Sequence, residues 1–445
     1  MEPDLIHVDP QLLAKWNRPV PRYTSYPTAP QFYLLDETEV RKKLIQFDRT
    51  DKPLSLYFHI PFCRSMCLFC GCSVVLNRNP KRQSAYLFHL LKEIELIASQ
   101  FNRKRSVSQL HLGGGTPTSL SEEEFERLME KINRHFHLTS DGEISIEIDP
   151  RTVYADQGAK LKALKRLGFN RVSFGVQDLD PLVQEAIRRR QSEEMTVETY
   201  YRARELGFHG INLDLIYGLP HQTRERFAKT AEKMVQLKPD RMALYSYAKI
   251  PWLKAHQKAI PDETLPTAEE KFGIYVDARA RFMKGGYTAI GMDHFALSGD
   301  PLAKAYEKRR LTRNFQGYAV EMAEDMIGFG LTAIGFIEGA YFQNAKELGE
   351  YQKRVGEGKL PVERGYILSE EDKKHGQAIQ SIMCHFEIEK ERFDGVGDPT
   401  ALIEEGLMEE KEGKYVATPT GRLFIRIVAS AYDQYIGKGR FSRAV

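Results

Sequence analysis

The chain is predicted to be an α/β protein built on a partial (β/α)6-type barrel, with an extended N-terminal arm and a mainly α, winged-helix-like C-terminal domain. Three observations predict this. From about residue 50 to 295, short β-rich apolar runs alternate with helical patterns, which is the signature of βαβ units and a parallel sheet. Several of these strands carry a polar residue at every second position, whereas a parallel sheet covered on both faces reads as continuously apolar. A crowded run of cysteines follows the first strand, at the strand end where a barrel places its active-site loops.

Residues 1–50 precede the repeat, and RPVPRYTSYPTAP (18–30) reads as an extended arm because its prolines disfavour helix. LSLYFHI (54–60) is the first strand. Its period of two puts Leu54, Leu56, Phe58 and Ile60 on one face and Ser55, Tyr57 and His59 on the other. The helical pattern SAYLFHLLKEIELIASQF leads to VSQLHL (107–112), and SEEEFERLMEKINRHF leads to EISIEID (143–149). There three isoleucines oppose Glu143, Ser145, Glu147 and Asp149. In RVSFGVQ (171–177), Val172, Phe174 and Val176 oppose Arg171, Ser173, Gly175 and Gln177. INLDLIYG (211–218) aligns Asp214 with Asn212 and Ile216, RMALYSYA (241–248) closes the six, and YTAIGMDHF (287–295) is a candidate seventh strand. The economical reading is a barrel with a polar lumen; the plainer one is that some of these strands are edges. The resulting division is an arm and lid (1–50), a barrel core (51–300), a barrel extension with a substrate-site segment (301–359) and a C-terminal helical domain (360–445).

Composition narrows the function classes. The 445 residues carry 64 Lys+Arg against 61 Asp+Glu, so no long-range field draws the chain to nucleic acid or acidic membranes. The C-terminal 360–445 segment has 12 basic and 15 acidic residues, the wrong sign for a duplex-binding wing. The longest uncharged apolar-leaning run, between Asp325 and Glu338, is too short for a bilayer, and MEPDLIHVDP has no signal-peptide character. A cytoplasmic protein without membrane insertion is expected. Absence of a long heptad run or a self-complementary edge points to a monomer.

Four of the five cysteines, Cys63, Cys67, Cys70 and Cys72, fall within ten residues, while Cys384 stands alone. An odd count with four crowded together does not describe a secreted disulfide framework. Cys63-x3-Cys67-x2-Cys70 lets three thiolates on one loop hold three corners of a [4Fe–4S] cluster and leave the fourth iron open. Structural zinc sites more often use two separated ligand pairs closed by four ligands. Cys384, in SIMCHF, reads as a small buried hydrophobe.

This cysteine loop resembles that of the radical S-adenosylmethionine superfamily. More narrowly, YFHIPFCRSMCLFCGC, LHLGGGTPT, SIEIDPR, GVQD, NLDLIYGLP, GMDHFA, RNFQGY and the arm PRYTSYPTA resemble the oxygen-independent coproporphyrinogen III dehydrogenases over nearly the whole chain. The resemblance implies one [4Fe–4S] cluster on Cys63, Cys67 and Cys70 and two S-adenosylmethionine molecules. It also implies a radical that abstracts hydrogen from a propionate β-carbon, so that two propionates of coproporphyrinogen III become vinyl groups. A reduced flavodoxin- or ferredoxin-type protein would supply the electron. For the cluster-bound cofactor the matching positions are Tyr57, Gly114, Glu147 and Ile334; for the second they are Phe69, Gly115, Thr116, Gln177, Arg189, Asp214 and Ala248. Arg188 and Arg190 flank Arg189, so a one-residue shift would change that assignment.

Tyr57, Glu147 and Gln177 fall on the faces assigned to the lumen without the family match. His59 is expected near the cluster or substrate, against the plainer reading of a core histidine; Cys72 is a functional candidate without a firm role. Arg103–Arg105 and Lys308–Arg313 read by default as solvated faces. The substrate has four propionates, so RRLTRNFQGY, with Gln316, is a candidate for holding carboxylates. Arg22 is expected to pair with a propionate, with Tyr23 or Tyr26 near the macrocycle, if the arm closes the barrel mouth. The rival functions are a haem-binding or transfer relative and an anaerobic haem-modifying enzyme.

Overall fold

The computed structural model describes residues 9–320 and 323–444. Six parallel strands form the barrel wall: β1 (Leu54–Ile60), β2 (Arg105–Gly114), β3 (Phe136–Ile148), β4 (Arg171–Gln177), β5 (Gly210–Tyr217) and β6 (Arg241–Ser246), hydrogen-bonded in that order. The intervening helices include α1 (Pro80–Ala98), α2 (Glu122–His135), α3 (Glu193–Glu205) and α4 (Arg224–Leu237), with α5 (Ala268–Lys284) following β6. Their starts follow from local chemistry: Asn79 caps α1 with Pro80 at the first position, and Ser121 with Glu124 makes a reciprocal capping box on α2.

The sheet continues beyond the six strands on both flanks. YTAIGMDHF is not one strand but two, β7 (Tyr287–Ile290) and β8 (His294–Leu297), a hairpin whose second arm pairs antiparallel with β6. A three-residue turn cannot return a chain in parallel, which needs a crossover of a dozen residues or more. The seventh parallel strand is β9 (Met326–Phe329), beside β1, followed by antiparallel β10 (Ile334–Ile337), β11 (Ala340–Asn344) and β12 (Val362–Ile367). The hairpin Leu311–Asn314/Gly317–Val320 stands apart from the main sheet.

Two large cores divide the interior. The first lies between the apolar strand faces and the outer helices and holds Leu56, Phe58, Ile146, Phe174 and Leu213. The second belongs to the C-terminal region: α6 (Glu370–His385), a three-stranded sheet (Glu387–Glu389, Met408–Lys411, Lys414–Ala417) and short helices. The last helical stretch breaks at Phe424 into Pro419–Leu423 and Ile425–Ser430. Leu13, Trp16, Val20, Tyr23 and Tyr26 also belong to this second core, so the N-terminal arm is packed into the far end of its own chain. Among the described residues no helix is long and apolar enough to cross a membrane.

Candidate active site

The polar strand faces do turn inward. At the N-terminal ends of the strands the lumen is plugged by ion pairs, Arg171 to Glu143 at 2.8 Å and Arg241 to Asp300 at 2.6 Å. Above that plug Ser173 donates to Asp214 at 2.8 Å, and Asn212 donates to Asp214 at 2.7 Å. Burial, with a smaller push from Glu147, raises the Asp214 carboxyl to about 6.

Higher still, Tyr57, His59 and Glu147 meet. His59 Nε2 faces the Ser73 carbonyl at 2.9 Å and must donate to it, which leaves Nδ1 to accept from the Tyr57 hydroxyl at 3.0 Å. Burial lowers the His59 pKa and keeps the ring neutral. Glu147 accepts from the Gly114 amide at 3.1 Å, and His111 Nε2 lies 3.4 Å from its other oxygen. His111 stacks on Tyr57 at 14° between ring planes. A Cβ on Gly113 would sit 3.0 Å from the Tyr57 ring and 3.1 Å from Glu147, so glycine is what lets these groups converge.

The cysteine loop leaves β1 at Pro61 and runs across the C-terminal ends of the strands. Phe62–Cys63 pairs with Val75–Leu76 at its base, and Leu68 anchors its middle among Val183, Ile187, Leu219, Tyr247 and Ile260. The glycine turn passes directly beneath. Gly114 adopts φ +126°, and a Cβ on Gly115 would lie 2.5 Å from the Pro61 carbonyl oxygen and 3.1 Å from Cys63 Sγ. Thr116 Oγ1 is 3.2 Å from Cys63 Sγ. Arg189 and Arg151 donate to Cys67 Sγ at 3.6 and 3.9 Å, and both pair with Asp149, which they hold down to about 2 against the effect of its burial.

The thiols answer to these surroundings. Burial pushes Cys63 up to about 11, while a hydrogen bond from Cys72 brings Cys70 down to about 6. Cys63 feels the charge of both Cys67 and Cys70, so the three share one space. Among the described residues no three His, Cys, Asp or Glu side chains converge tightly enough to chelate one metal ion. Three thiols around a common space, with two guanidiniums on one of them, suit an anionic multi-iron cluster with one open corner.

The remaining expected residues can now be placed. Gln177, with φ +71°, curls over Gly175 beside Arg189. Of the three adjacent arginines only Arg189 points here; Arg190 pairs with Glu185 at the surface. Phe69 and Ala248 are joined through Gln257, which donates to both carbonyls at 2.9 and 3.2 Å. Ile334 packs over Gly328, the strand partner of Tyr57. Gln316 sits at the tip of the separate hairpin and donates to Met326 Sδ at 3.3 Å.

Two charge runs taken as solvated contain buried arginines. Arg105 donates to the carbonyls of Asp48, Thr50 and Lys52, and Arg313 lies 3.7 Å from Asp293 and donates to the Arg22 carbonyl at 3.2 Å. Arg22 itself donates to the Ser246 carbonyl at 2.7 Å, at the end of β6. Tyr23 and Tyr26 belong to the C-terminal core and also border the groove between the arm and α6, with the Tyr23 hydroxyl donating to Asp433 at 3.0 Å and the Tyr26 hydroxyl accepting from the Gln434 amide at 3.1 Å. Between arm, hairpin and α6 runs a groove of about 840 Å³ whose lining includes Arg309, Arg313, Phe315, Phe336 and Tyr341.

Sequence reasoning missed His111, Arg151 and the Lys254–Gln257 segment. Alternation along LHLGGG already aligns His111 with Gly113, so His111 was within reach of the pattern. Arg151 pairs locally with Asp149, but nothing local marks its reach to Cys67, 84 residues away, or that of Lys254, His256 and Gln257 to the cysteine loop, 182 to 188 residues away.

Comparison with known proteins agrees with this geometry. The family model described as the radical SAM superfamily matches residues 57–234. The chain is 40% identical to the oxygen-independent coproporphyrinogen III oxidase of Escherichia coli over 455 residues, covering 98% of each. It is 38% identical to that of Synechocystis, covering 98% of this chain and 97% of the relative. The solved structure of the Escherichia coli coproporphyrinogen III oxidase, described there as a radical SAM enzyme, superposes with a TM-score of 0.89 over 97% of this chain and 100% of that one. With three thiols over a glycine floor and a matching fold from end to end, the chain belongs to the oxygen-independent coproporphyrinogen III oxidase family, within the radical SAM superfamily.

Proposed function

We propose that this chain oxidatively decarboxylates two propionate side chains of coproporphyrinogen III to vinyl groups without oxygen, giving protoporphyrinogen IX in haem biosynthesis. The observation that carries the reading is the end-to-end match, in sequence and in fold, to enzymes named for this reaction. When bound, a [4Fe–4S] cluster on Cys63, Cys67 and Cys70, with S-adenosylmethionine, supplies the reducing electron and the hydrogen-abstracting power.

The chain's own residues prepare the site. Gly114 and Gly115 bring backbone against the cysteine loop, and Arg189 and Arg151 balance its negative charge. Tyr57, Gly114, Glu147 and Ile334 form the wall for the first S-adenosylmethionine. Glu147 meets the Gly114 amide with one oxygen and His111 with the other, and each oxygen keeps a lone pair for the cofactor's amino group. For the second molecule the wall is Phe69, Gly115, Thr116, Gln177, Arg189, Asp214 and Ala248. His59 stays neutral and takes the Tyr57 proton as a hydrogen bond, which fixes the phenol beside Glu147. The ion-paired plug lies below this space and the clamped cysteine loop above it. Arg309 and Arg313 line the groove, which is roomy enough for a tetrapyrrole; Arg22, bonded to the Ser246 carbonyl, and Gln316, at the hairpin tip, are further candidates for its carboxylates. Cys72, two residues beyond Cys70, is read as steadying that ligand.

We read the protein as a cytoplasmic monomer served by a flavodoxin- or ferredoxin-type donor. Its five free thiols fit a reducing compartment, and the two-residue edge strand Tyr33–Leu34 is a poor template for self-pairing. Anaerobic incubation of the reconstituted protein with coproporphyrinogen III, S-adenosylmethionine and dithionite should yield protoporphyrinogen with two methionines and two 5′-deoxyadenosines per turnover. Haem in the same tube should stay unchanged; consumption of haem in place of coproporphyrinogen would replace this reading with the haem-modifying one. Glu147→Ala should keep cluster and fold but weaken S-adenosylmethionine binding about tenfold or more, the loss expected for one charge-assisted hydrogen bond.

A further inference from the structure

The loop that carries the three thiols is held from outside by one segment, residues 249–260. Lys254 Nζ donates to the Cys72 carbonyl at 2.7 Å, His256 Nε2 to the Cys70 carbonyl at 2.8 Å and Gln257 Nε2 to the Phe69 carbonyl at 2.9 Å. These bonds tie down the backbone of the ligand loop and turn the other side of the segment to solvent. There Trp252 is 45% exposed and Leu253 66% exposed, and Leu76, at the loop's base, is 50% exposed. Among the described residues Trp252 is the only tryptophan not in the core.

The two stretches of chain that carry these apolar residues have charge of one sign. Residues 61–92 contain no Asp or Glu, and neither do residues 241–261. Arg64 lies in the ligand loop, and Arg78 donates to its carbonyl at 3.2 Å; Lys81 and Arg82 follow in the first turn of α1. Lys254 and Lys258 flank the carbonyl contacts on the other side. Among the described residues none of these six cations makes an ion pair, whereas Lys249 at the base of the segment is paired with Asp262. A basic rim left uncompensated around an exposed aromatic centre is the arrangement of a transient docking face for an acidic partner.

The position of the face selects the partner. It covers the outer side of the loop that carries the three thiols. We infer that this face is where a small acidic electron-carrier protein, bearing a flavin or an iron–sulfur group, docks to reduce the cluster; the inference rests on the activity proposed above. One electron leaves the carrier, which is oxidised by one unit, and enters the cluster, which is reduced by one; no bond or proton moves. Encounters of this kind use small interfaces and depend on electrostatic steering for their rate.

The test titrates the full-length, reconstituted holoenzyme calorimetrically with an oxidised bacterial flavodoxin of acidic surface, at low and high salt. Trp252→Ser and Lys258→Glu should each weaken binding about tenfold, and salt should weaken it in the unaltered protein. Lys104→Glu, at the opposite end of the barrel, should leave it unchanged. Turnover driven by dithionite, which needs no docking, should be the same in all three variants. Binding indifferent to both Trp252→Ser and Lys258→Glu would overturn the docking face while leaving the activity standing. A raised KM for coproporphyrinogen in Trp252→Ser under dithionite would give the patch to the substrate and overturn it equally. If the unaltered protein shows no dithionite-driven turnover, the activity reading fails instead, and the titration still decides the docking face.

Discussion

Two segments link the β6 side of the barrel to its other flank, and they are built in opposite ways. The 249–260 segment reaches the cysteine loop through side chains that donate to backbone carbonyls, and it leaves Trp252 and Leu253 in solvent. The arm 18–30 runs from the Ser246 carbonyl, bonded by Arg22, to β11, where the Tyr341 hydroxyl meets the Tyr26 amide at 3.4 Å. Its aromatic rings are buried in the C-terminal core, at 3% exposure for Tyr23 and 5% for Tyr26. Buried Arg426 fastens it further by donating to the carbonyls of Val20 and Pro21. One segment is thus a clamp that holds a functional loop, and the other is a piece of core. A clamp made of a few hydrogen bonds acts locally, whereas a segment made of core contributes to the stability of everything it touches.

Four substitutions test this contrast, beginning with the largest effect. Cys67→Ser should remove the cluster altogether, seen as loss of bound iron and of the visible absorbance, with the fold intact. Cys384→Ser should keep the cluster, because that thiol is buried far from the loop and burial has pushed it up to about 12. Tyr23→Ala comes next. It empties a buried ring site and removes the donor to Asp433 Oδ2, and should cost about 3–5 kcal/mol in a denaturant titration. Iron per folded molecule should not change. Removing residues 1–30 should therefore leave the C-terminal region misfolded, instead of yielding a sound enzyme without a lid.

Gln257→Ala should do the reverse of Tyr23→Ala. It removes three hydrogen bonds, two donated to Phe69 and Ala248 and one accepted from the Ile250 amide at 2.6 Å. Each buried group left unsatisfied costs about 1–3 kcal/mol. The loss should fall on the ligand loop, as faster release of iron to a chelator, with a smaller change in global stability. A Gln257→Ala protein that unfolds as readily as Tyr23→Ala while holding its iron normally would erase the distinction between clamp and core.

The smallest effect is a pH dependence. Glu93, on α1, accepts from the Gly330 amide, Asn344 and the Tyr351 hydroxyl at 2.7–2.8 Å, and so pins the turn between β9 and β10. Burial raises its carboxyl to about 7. The folded state therefore keeps a proton that the unfolded chain gives up near pH 4–5. This contribution is full below that range and is lost as pH rises toward 7; Asp214, raised to about 6, acts in the same direction. Asp149 and Asp293, both held near 2, lose their contributions only in stronger acid. Unfolding free energy should fall by about 1–3 kcal/mol between pH 5 and 7, and Glu93→Gln should flatten part of that slope.

Much of this protein was legible in its sequence because period-two patterns carry their own geometry. Leu54–Ile60 and Arg171–Gln177 are strands with the bounds the pattern suggested, and Tyr57, Glu147 and Asp214 face the lumen as their alternation required. Cys-x3-Cys-x2-Cys after a strand says where a cluster must sit, since three ligands on one short loop need no distant partner. What alternation could not supply was pairing between segments far apart in the chain. The hairpin in YTAIGMDHF, the parallel strand Met326–Phe329 beside Leu54–Ile60 and the clasp of Lys254, His256 and Gln257 all depend on contacts that close long loops. The choice among Arg188, Arg189 and Arg190 is of the same kind. Only the fold decides which guanidinium reaches Cys67 and Asp149, because the direction of a side chain outside regular structure is set by what it meets. The arm is the clearest case. PRYTSYPTA reads as extended and aromatic in any context, and that its tyrosines fill a core while also bordering the groove was decided by the apolar surface that α6 and Ile425–Ser430 leave for them.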